Sequence, residues 1–508
     1  MIHASNENPI LSDPRLDALT SWDADWAGLR VAVLGIGVSG FAAADTLIEL
    51  GARVVVLDGL DSEVNRQKAE TLRIVGAADV LLGEAAGRLP QVDGLAPQLV
   101  VTSPGLRPEH PVLAQAAGQG VQIWGDVELA WRVRERAGRP TAQWVCITGT
   151  NGKTTTVQMV ESMLQAGGLK ALAVGNVGTP ILDALRDPVD YDVLAVELSS
   201  FQLHWAHSIS PLAAVCLNIA EDHVDWHGSF ENYIADKSRV YEGCRVAAVY
   251  NEADPRTREM VEEADVVEGC RAIGFTAGSP DVSMLGVVED LLVDRAFLTD
   301  RRSQALEIGA VQSLKPVPTA HGVSNALAAA ALARAAGVQP QDIASGLEAW
   351  EPGGHRIQPV ARTHGVVWVD DSKATNPHAA DASLSAFESV VWIAGGLAKG
   401  TDSRELVAKH AARLRAVVLI GTDNARLEAA LADSAPQVPI LRAGEDLADA
   451  ADGDAVMRAA VEAAHGVAVD GDTVLMAPAA ASMDQFRDYA HRGDSFALSV
   501  ADLVERLK

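Results

Sequence analysis

The chain has 508 residues, 48% hydrophobic and 21% charged, which is room for about three domains of ~150 residues each. Its formal net charge of −27 repels nucleic acid and anionic membrane unless a local patch overrides the field, and no run of basic residues supplies one. Cys146, Cys216, Cys244 and Cys270 lack zinc-knuckle or redox spacing and read as buried free thiols of a reducing cytosol. The opening stretch "MIHASNENPILSDPRLDALTSWDADW" has acids and no apolar signal core, and no apolar run reaches the ~18 residues of a membrane span.

The first domain is expected over residues 1–130. "LRVAVLG" (29–35) reads as a buried strand, "SGFAAADTLIELG" as a helix and "ARVVVLDG" as a second strand, a βαβ unit. Between strand and helix lies "GIGVSG", with Gly35, Gly37 and Gly40 in G-x-G-x-x-G spacing. Asp58 ends the next strand. This is the dinucleotide fingerprint. Its physics is wider, because glycines let backbone approach any diphosphate at a helix N-terminus. A nicotinamide dinucleotide and a UDP-sugar both remain open. "LVVTSPGL" (99–106) is a further strand ending in a tight turn.

The second domain, 131–352, opens with the strand "QWVCITG", the loop "GTNGKTTT" and a helix to Gly167. Against the phosphate-loop pattern G-x-x-x-x-G-K-[ST], Ile147 stands where the first glycine belongs and Gly149 comes two residues late. Gly149 and Gly152 permit unusual φ, while Lys153 and Thr154 hold the positions of a phosphate lysine and a magnesium hydroxyl. Thr150, Asn151, Thr154 and Thr155 make a plain turn a poor reading. A backbone anion nest does not need the missing glycine. "DVLAVELSS" (192–200) and "AAVCLNIAEDH" (213–223) are apolar runs with polar ends. Glu197 is either a metal ligand or a cap, and His223 either a metal ligand or a satisfied loop histidine. Lys237, in "ENYIADKSR", reads from composition as a surface helix lysine. Residues 250–318 are polar with short β-like runs. "SNALAAAALARAAG" (324–337) is a strong helix former, and "EPGGHR" (351–356) breaks the chain after it.

The third domain, 353–508, carries "VVWVDDSKATN", "SVVWIAGGLAKGTD", "AVVLIGTDN" and "DTVLMAPAAASMDQF". Each is a buried strand breaking into a small or polar loop, which means a parallel sheet with helices on both faces. Asp371 and Lys373 are a surface pair or a site. Ser482 caps a helix starting at Met483 or belongs to a site. The fold class is α/β in three domains: a Rossmann-like N-terminal domain, a central P-loop ATPase domain with a mainly parallel sheet, and a Rossmann-like C-terminal domain.

In order, "GTNGKTTT", "ELSSFQL", "NIAEDHVDWH", "DDSKATN" and "SMDQF" resemble the Mur ligase family, over the chain from about residue 30 to its end. The family's loop is G-T/S-N-G-K-T/S, so the late first glycine is its own form. "DDSKATN" and "SMDQF" favour the member that adds D-glutamate. The resemblance implies that Lys153 and the loop Gly149, Thr150, Asn151, Gly152, Thr154 and Thr155 hold ATP. It gives Thr154 and Glu197 a first Mg²⁺, and His223 and Lys237 a second, with Lys237 carbamylated and so turned into a carboxylate. Asn325, Arg356 and Asp371 would contact the adenine nucleotide. Ser39, Asp58 and Gly105 would meet the UDP moiety, and Asn176 and Ser199 the sugar-peptide part. Lys373, Thr375, Lys399, Ser482 and Tyr489 would surround D-glutamate.

Two positions depart from the family: Gly322 replaces an asparagine in "HGVSN", and Leu397 an acidic residue in "GGLAK". The implied enzyme is a cytoplasmic monomer. It joins D-glutamate to UDP-N-acetylmuramoyl-L-alanine with ATP, through an acyl phosphate, in peptidoglycan precursor synthesis. Another Mur-type ligase, a folylpolyglutamate synthase, an NAD-dependent oxidoreductase and a catalytically silent nucleotide sensor are the alternatives.

Overall fold

The computed structural model describes residues 14–315, 318–397, 402–444 and 452–507. The chain forms two compact units. One runs through Ala310 and takes back Ser324–Trp350, and the other is Val311–Val323 with the chain from Glu351 onward. No helix among the described residues is long and apolar enough to cross a membrane.

The first unit holds two sheets. The smaller has the order Asp79–Leu82, Arg53–Asp58, Arg30–Leu34, Leu99–Thr102, Gln122–Gly125, all parallel. Its central strand turns at Gly35 into the helix Val38–Glu49. A side chain at Gly40 would put its Cβ 2.0 Å from the Gly35 carbonyl oxygen, so the third glycine lets helix and strand meet.

The larger sheet has nine strands. From Arg271–Phe275 inward they run parallel through Ala247–Asn251, Ala213–Cys216, Gln143–Thr148 and Val193–Glu197 to Ala171–Gly175. The four inner strands of this run, Ala247–Asn251, Ala213–Cys216, Gln143–Thr148 and Val193–Glu197, are buried on both faces, which is why they read as continuous apolar runs. Residues 250–318, which offered little to sequence reading, contain the helix Pro255–Glu263 and the strands Arg271–Phe275, Met284–Val288, Leu291–Asp294 and Leu306–Ala310. The last two pair antiparallel at the sheet edge. The alanine-rich helix spans Ala320–Ala335, starting four residues before the stretch expected.

In the second unit the sheet order is Gln358–Thr363, Val366–Asp370, Thr473–Met476, Val390–Ala394, Leu414–Leu419, Ile440–Arg442. All pairs are parallel except the first, a hairpin. Apolar clusters cover both faces of this sheet, around Trp392 and Leu384 on one and Trp368 and Phe496 on the other. The α/β class with mainly parallel sheets expected from sequence is the class observed, in three sheets.

One packing contact fixes the helix that follows the phosphate-type loop. Gly346, in the helix Pro340–Ala349, lies against the backbone of Lys153–Ala166, where an added Cβ would come 2.5 Å from the Met163 Cα. The Ser162 hydroxyl also donates to the Gly346 carbonyl at 2.7 Å. Gly346→Ala should therefore overpack this joint and lower stability by about 1–3 kcal/mol, read as a lower denaturant midpoint. An unchanged midpoint would mean that the two helices are not held at this distance.

Candidate active site

The strand Gln143–Thr148 is central, between Ala213–Cys216 and Val193–Glu197, and all three point their C-terminal ends the same way. Ligands of open α/β sheets bind at such ends. Ile147 is fully buried in the strand and registers with Val215 and Glu197. The loop thus begins at Gly149, and a glycine at 147 would have no turn to make. Gly149 has φ +146° and Gly152 φ +86°. A Cβ at Gly152 would fall 2.5 Å from Asn325 Oδ1, which brings Asn325 against the loop.

Asn218, a residue sequence reading missed, braces this loop. Its Oδ1 accepts from the Asn151 N–H at 2.9 Å, its Nδ2 donates to the Asn151 carbonyl at 3.1 Å, and its own carbonyl accepts from the Thr150 N–H at 2.9 Å. The Thr150 hydroxyl faces the protein, 2.8 Å from the Tyr233 hydroxyl. Thr154 and Thr155 stand in the first turn of Lys153–Ala166, at the positive end of the helix dipole.

Two lysines meet at one oxygen. Lys153 Nζ donates to the Gly149 carbonyl at 2.9 Å and to that of Thr150 at 2.9 Å. Lys237 Nζ donates to the same Gly149 carbonyl at 2.9 Å. Lys237 is 2% exposed, so the surface reading of composition is wrong: its helix, Phe230–Ser238, turns this face toward the loop. Burial first, and the Lys153 charge second, push the Lys237 amine down to about 7.

Glu197 is buried at the end of its strand. Its Oε1 accepts from Asn176 Nδ2 at 3.1 Å, while Oε2 is buried with no hydrogen-bond partner. The cap reading of Glu197 fails, because the next helix is capped by Ser199, whose hydroxyl accepts from the Gln202 N–H at 3.2 Å. An unsatisfied carboxylate oxygen suits a hard cation such as Mg²⁺. His223 takes a left-handed backbone, φ +52°, with its half-buried ring edge-on to Phe201 at 4.7 Å. Among the described residues no three His, Cys, Asp or Glu side chains gather as a metal cage. Hydroxyls, water and substrate oxygens would have to complete any ion's shell.

At the glycine-rich loop, Asp58 braces the backbone. Its Oδ2 accepts from the Ile36 N–H at 2.8 Å, and its Oδ1 from the Leu60 N–H at 2.8 Å and from Asn65 Nδ2 at 3.3 Å. Ser39 stands in the first turn of the helix that follows, Val38–Glu49. Gly105 lies in the turn after Leu99–Thr102.

In the second unit, Asp371 is buried and does not form the surface pair. Its Oδ1 accepts from the Ile357 N–H at 3.2 Å and its Oδ2 from the Ser383 hydroxyl. Burial pushes its carboxyl up to about 6, and the nearby Arg356 charge opposes that. Lys373 Nζ lies 3.8 Å from the centre of the Tyr489 ring, and the Thr375 N–H donates to the Lys373 carbonyl at 2.8 Å.

Ser482 is buried but caps no helix at Met483. Its carbonyl closes a turn with the N–H groups of Gln485 and Phe486. Asp484 and Gln485 are instead drawn to the N–H groups of Thr422 and Gly421, so the helix waits until Tyr489, capped by Asp488. Arg492 is a second residue that sequence reading missed. Fully buried, it donates to Ser372 Oγ, to the Ser372 carbonyl and to the Ala480 carbonyl, tying the Lys373 loop to the Ser482 loop. Leu397 pairs its backbone with Ala481, and the Gly322 N–H donates to the Thr319 hydroxyl at 3.0 Å. Lys399 lies outside the described residues.

Comparison with known proteins agrees with this organisation. Three family models match in order: "Mur ligase MurD-like, N-terminal domain" over 29–125, "Mur ligase middle domain" over 147–333 and "Mur ligase, glutamate ligase domain" over 355–480. A protein of Leifsonia xyli subsp. xyli named UDP-N-acetylmuramoylalanine–D-glutamate ligase is 51% identical, covering 97% of this chain and 96% of its own. Its namesake from Streptomyces avermitilis is 55% identical, covering 94% and 99%. The crystal structure of MurF from Acinetobacter baumannii shares the fold at 17% identity, with a TM-score of 0.55 over 89% of this chain and 90% of that one. The chain belongs to the Mur ligase family.

Proposed function

We propose that the chain joins the amine of D-glutamate to the alanyl carboxylate of UDP-N-acetylmuramoyl-L-alanine, using ATP. The observation that carries this reading is the phosphate-type loop with Lys153 and Lys237 on one carbonyl beside the unpartnered Glu197 oxygen. The choice of substrates is supported by the end-to-end likeness to ligases named for that reaction. We assign residues 1–130 to UDP binding, 131–352 to ATP and 353–508 to the amino acid. The proposed state is a monomer and the proposed setting is the cytoplasm.

A carboxylate is a poor electrophile. Transfer of the γ-phosphoryl group of ATP to it gives an acyl phosphate, which the uncharged amine of D-glutamate attacks, and the tetrahedral intermediate expels phosphate. Lys153 and the N–H groups of the loop hold the β- and γ-phosphates in line and offset their charge, a mostly electrostatic task. Ser39, Asp58 and Gly105 would hold the UDP end, Asn176 and Ser199 the sugar-peptide end, and Asn325, Arg356 and Asp371 the adenine nucleotide. Lys373, Thr375, Lys399, Ser482 and Tyr489 would hold D-glutamate. Mg²⁺ supplies charge neutralisation on the phosphate oxygens; Thr154 and Glu197 would hold one ion, and His223 with Lys237 a second. For Lys237 that role requires a carbamate, formed as the neutral amine adds to CO₂ and releases one proton. A buried amine titrating at about 7 has a large neutral fraction at physiological pH.

That amine gives the carbamate a pH signature. Bicarbonate-depleted enzyme should recover activity about tenfold faster at pH 8 than at pH 6 at equal dissolved CO₂, the ratio of neutral amine for a group titrating at about 7. Recovery at one rate across that range would leave Lys237 a plain cation.

The test of the reaction itself is a competition among D-Glu, L-Glu, D-Asp and L-Ala at equal concentration, with product mass as readout. Lys373 and Lys399 can each meet a carboxylate of D-glutamate, so misplacing one charge in the L-enantiomer should cost at least about 10² in selectivity. D-aspartate, one methylene shorter, should fail similarly. A dominant L-Ala product would point to a different Mur ligase, and equal use of both glutamates would break the assigned pocket.

A further inference from the structure

The helix Phe230–Ser238, which carries Lys237, is anchored on two flanks. On one, Tyr233 and Lys237 face the phosphate-type loop. The Tyr233 hydroxyl lies 2.8 Å from that of Thr150, and Lys237 Nζ donates to the Gly149 carbonyl at 2.9 Å. The other anchor is Asp236, about 100° round the helix axis from Lys237. Its Oδ2 accepts from His227 Nδ1 at 2.8 Å and from His204 Nδ1 at 2.9 Å, and its Oδ1 lies 3.0 Å from the same His204 nitrogen. Arg239 Nε stands 3.8 Å from Oδ1. An ionised carboxylate only accepts, so each Nδ1 carries a proton. In a neutral His227 ring, Nε2 then accepts from the Ser200 hydroxyl at 3.0 Å. Ser200 opens the helix Ser200–His204 just after Glu197. The His227 side chain is fully buried, with its ring stacked on Phe201 at 5.6 Å and edge-on to Tyr233 at 5.3 Å.

We infer that Asp236 is a positioning residue: clasped by His204 and His227, it fixes the rotation of its helix and so holds the Lys237 side chain at the Gly149 carbonyl. This rests on the role proposed above for Lys237. One anchor lets a helix turn about its axis, and two on different flanks do not. Folding alone does not call for a carboxylate here. A buried charged cluster costs desolvation, and apolar side chains of similar volume would pack as well among Phe201, Trp226 and Tyr233. What a satisfied polar network adds is a single geometry, because its hydrogen bonds are directional. Through His227 and Ser200 that geometry is referred to the strand end that presents Glu197.

The test compares wild type with Asp236→Ala, Lys237→Ala and their double variant. The readouts are kcat, KM for each substrate, Tm, and the ¹³C carbamate signal at equal ¹³C-bicarbonate. Asp236→Ala should lower kcat and the carbamate signal about tenfold or more, and leave KM for the nucleotide sugar and D-glutamate within about twofold. The double variant should turn over no more slowly than Lys237→Ala, since Asp236 acts through Lys237. A folded Asp236→Ala with wild-type kcat, whatever its Tm, or a further loss in the double variant would overturn the inference. Should Asp236→Ala fail to fold, His227→Asn and His227→Gln decide. Asparagine keeps a donor where Nδ1 meets Asp236, while glutamine keeps a polar group only where Nε2 meets Ser200. His227→Asn should therefore be the faster enzyme, and equal kcat overturns the clasp. Failure of the proposed function reads differently. Wild type that shows the carbamate signal but makes no product would defeat the proposed reaction, and a signal undiminished in Asp236→Ala would then overturn the clasp. Wild type with turnover and no signal would defeat the carbamate alone, and the kcat comparison decides the clasp.

Discussion

The Gly149 carbonyl oxygen accepts from two lysine side chains at once, and much of the site follows from that. Two ammonium groups that each lie 2.9 Å from one oxygen repel by about 3 kcal/mol at an effective dielectric near 20. Lys153 is partly buried at the start of its helix and keeps company with two carbonyls. Lys237 is sealed in, so the cost falls on it and its amine titrates near neutrality. The loop proposed to hold a triphosphate thereby contains an amine with a large neutral fraction near pH 7, and Glu197 is a carboxylate with an oxygen to spare.

The scaffold explains why the convergence is reproducible. The loop is fixed from below by a parallel strand buried on both faces, from the side by Asn218, and from the helix behind by the close approach of Gly346. The glycine-rich loop of the first sheet repeats the logic with different parts: Asp58 takes three protein donors and holds the turn. An oxidoreductase would have no use for the second loop, and the family relationship sets that alternative aside.

Sequence reading succeeded where one physical cause dominates. The buried parallel strands and the helices behind them were legible because burial on both faces leaves unbroken apolar runs, and Gly149 and Gly152 because their backbone conformations exclude side chains. It failed where the cause is distant in sequence. Nothing within "ENYIADKSR" says that Lys237 faces inward, because its partner oxygen is 88 residues away. Ser482 looked like a cap, but Asp484 and Gln485 are pulled to the loop at 421–422 and delay the helix. Asn218 stood within a quoted motif two residues past a strand end, so a search for amide side chains beside the loop strand could have found it. Arg492 gave no local signal, as its three acceptors belong to loops more than ten residues distant. The strands of 250–318 are short, and several are half-exposed, so neither period nor apolar run marks them.

The central claim is that burial, with the Lys153 charge at the same carbonyl second, leaves Lys237 neutral enough to carry CO₂. It is tested most directly by ¹³C NMR of the enzyme equilibrated with ¹³C-bicarbonate near neutral pH. A carbamate carbonyl signal is expected in the wild type, absent from Lys237→Ala and retained in variants of other lysines. A wild-type spectrum with no such signal, or a signal that survives Lys237→Ala, would contradict the account.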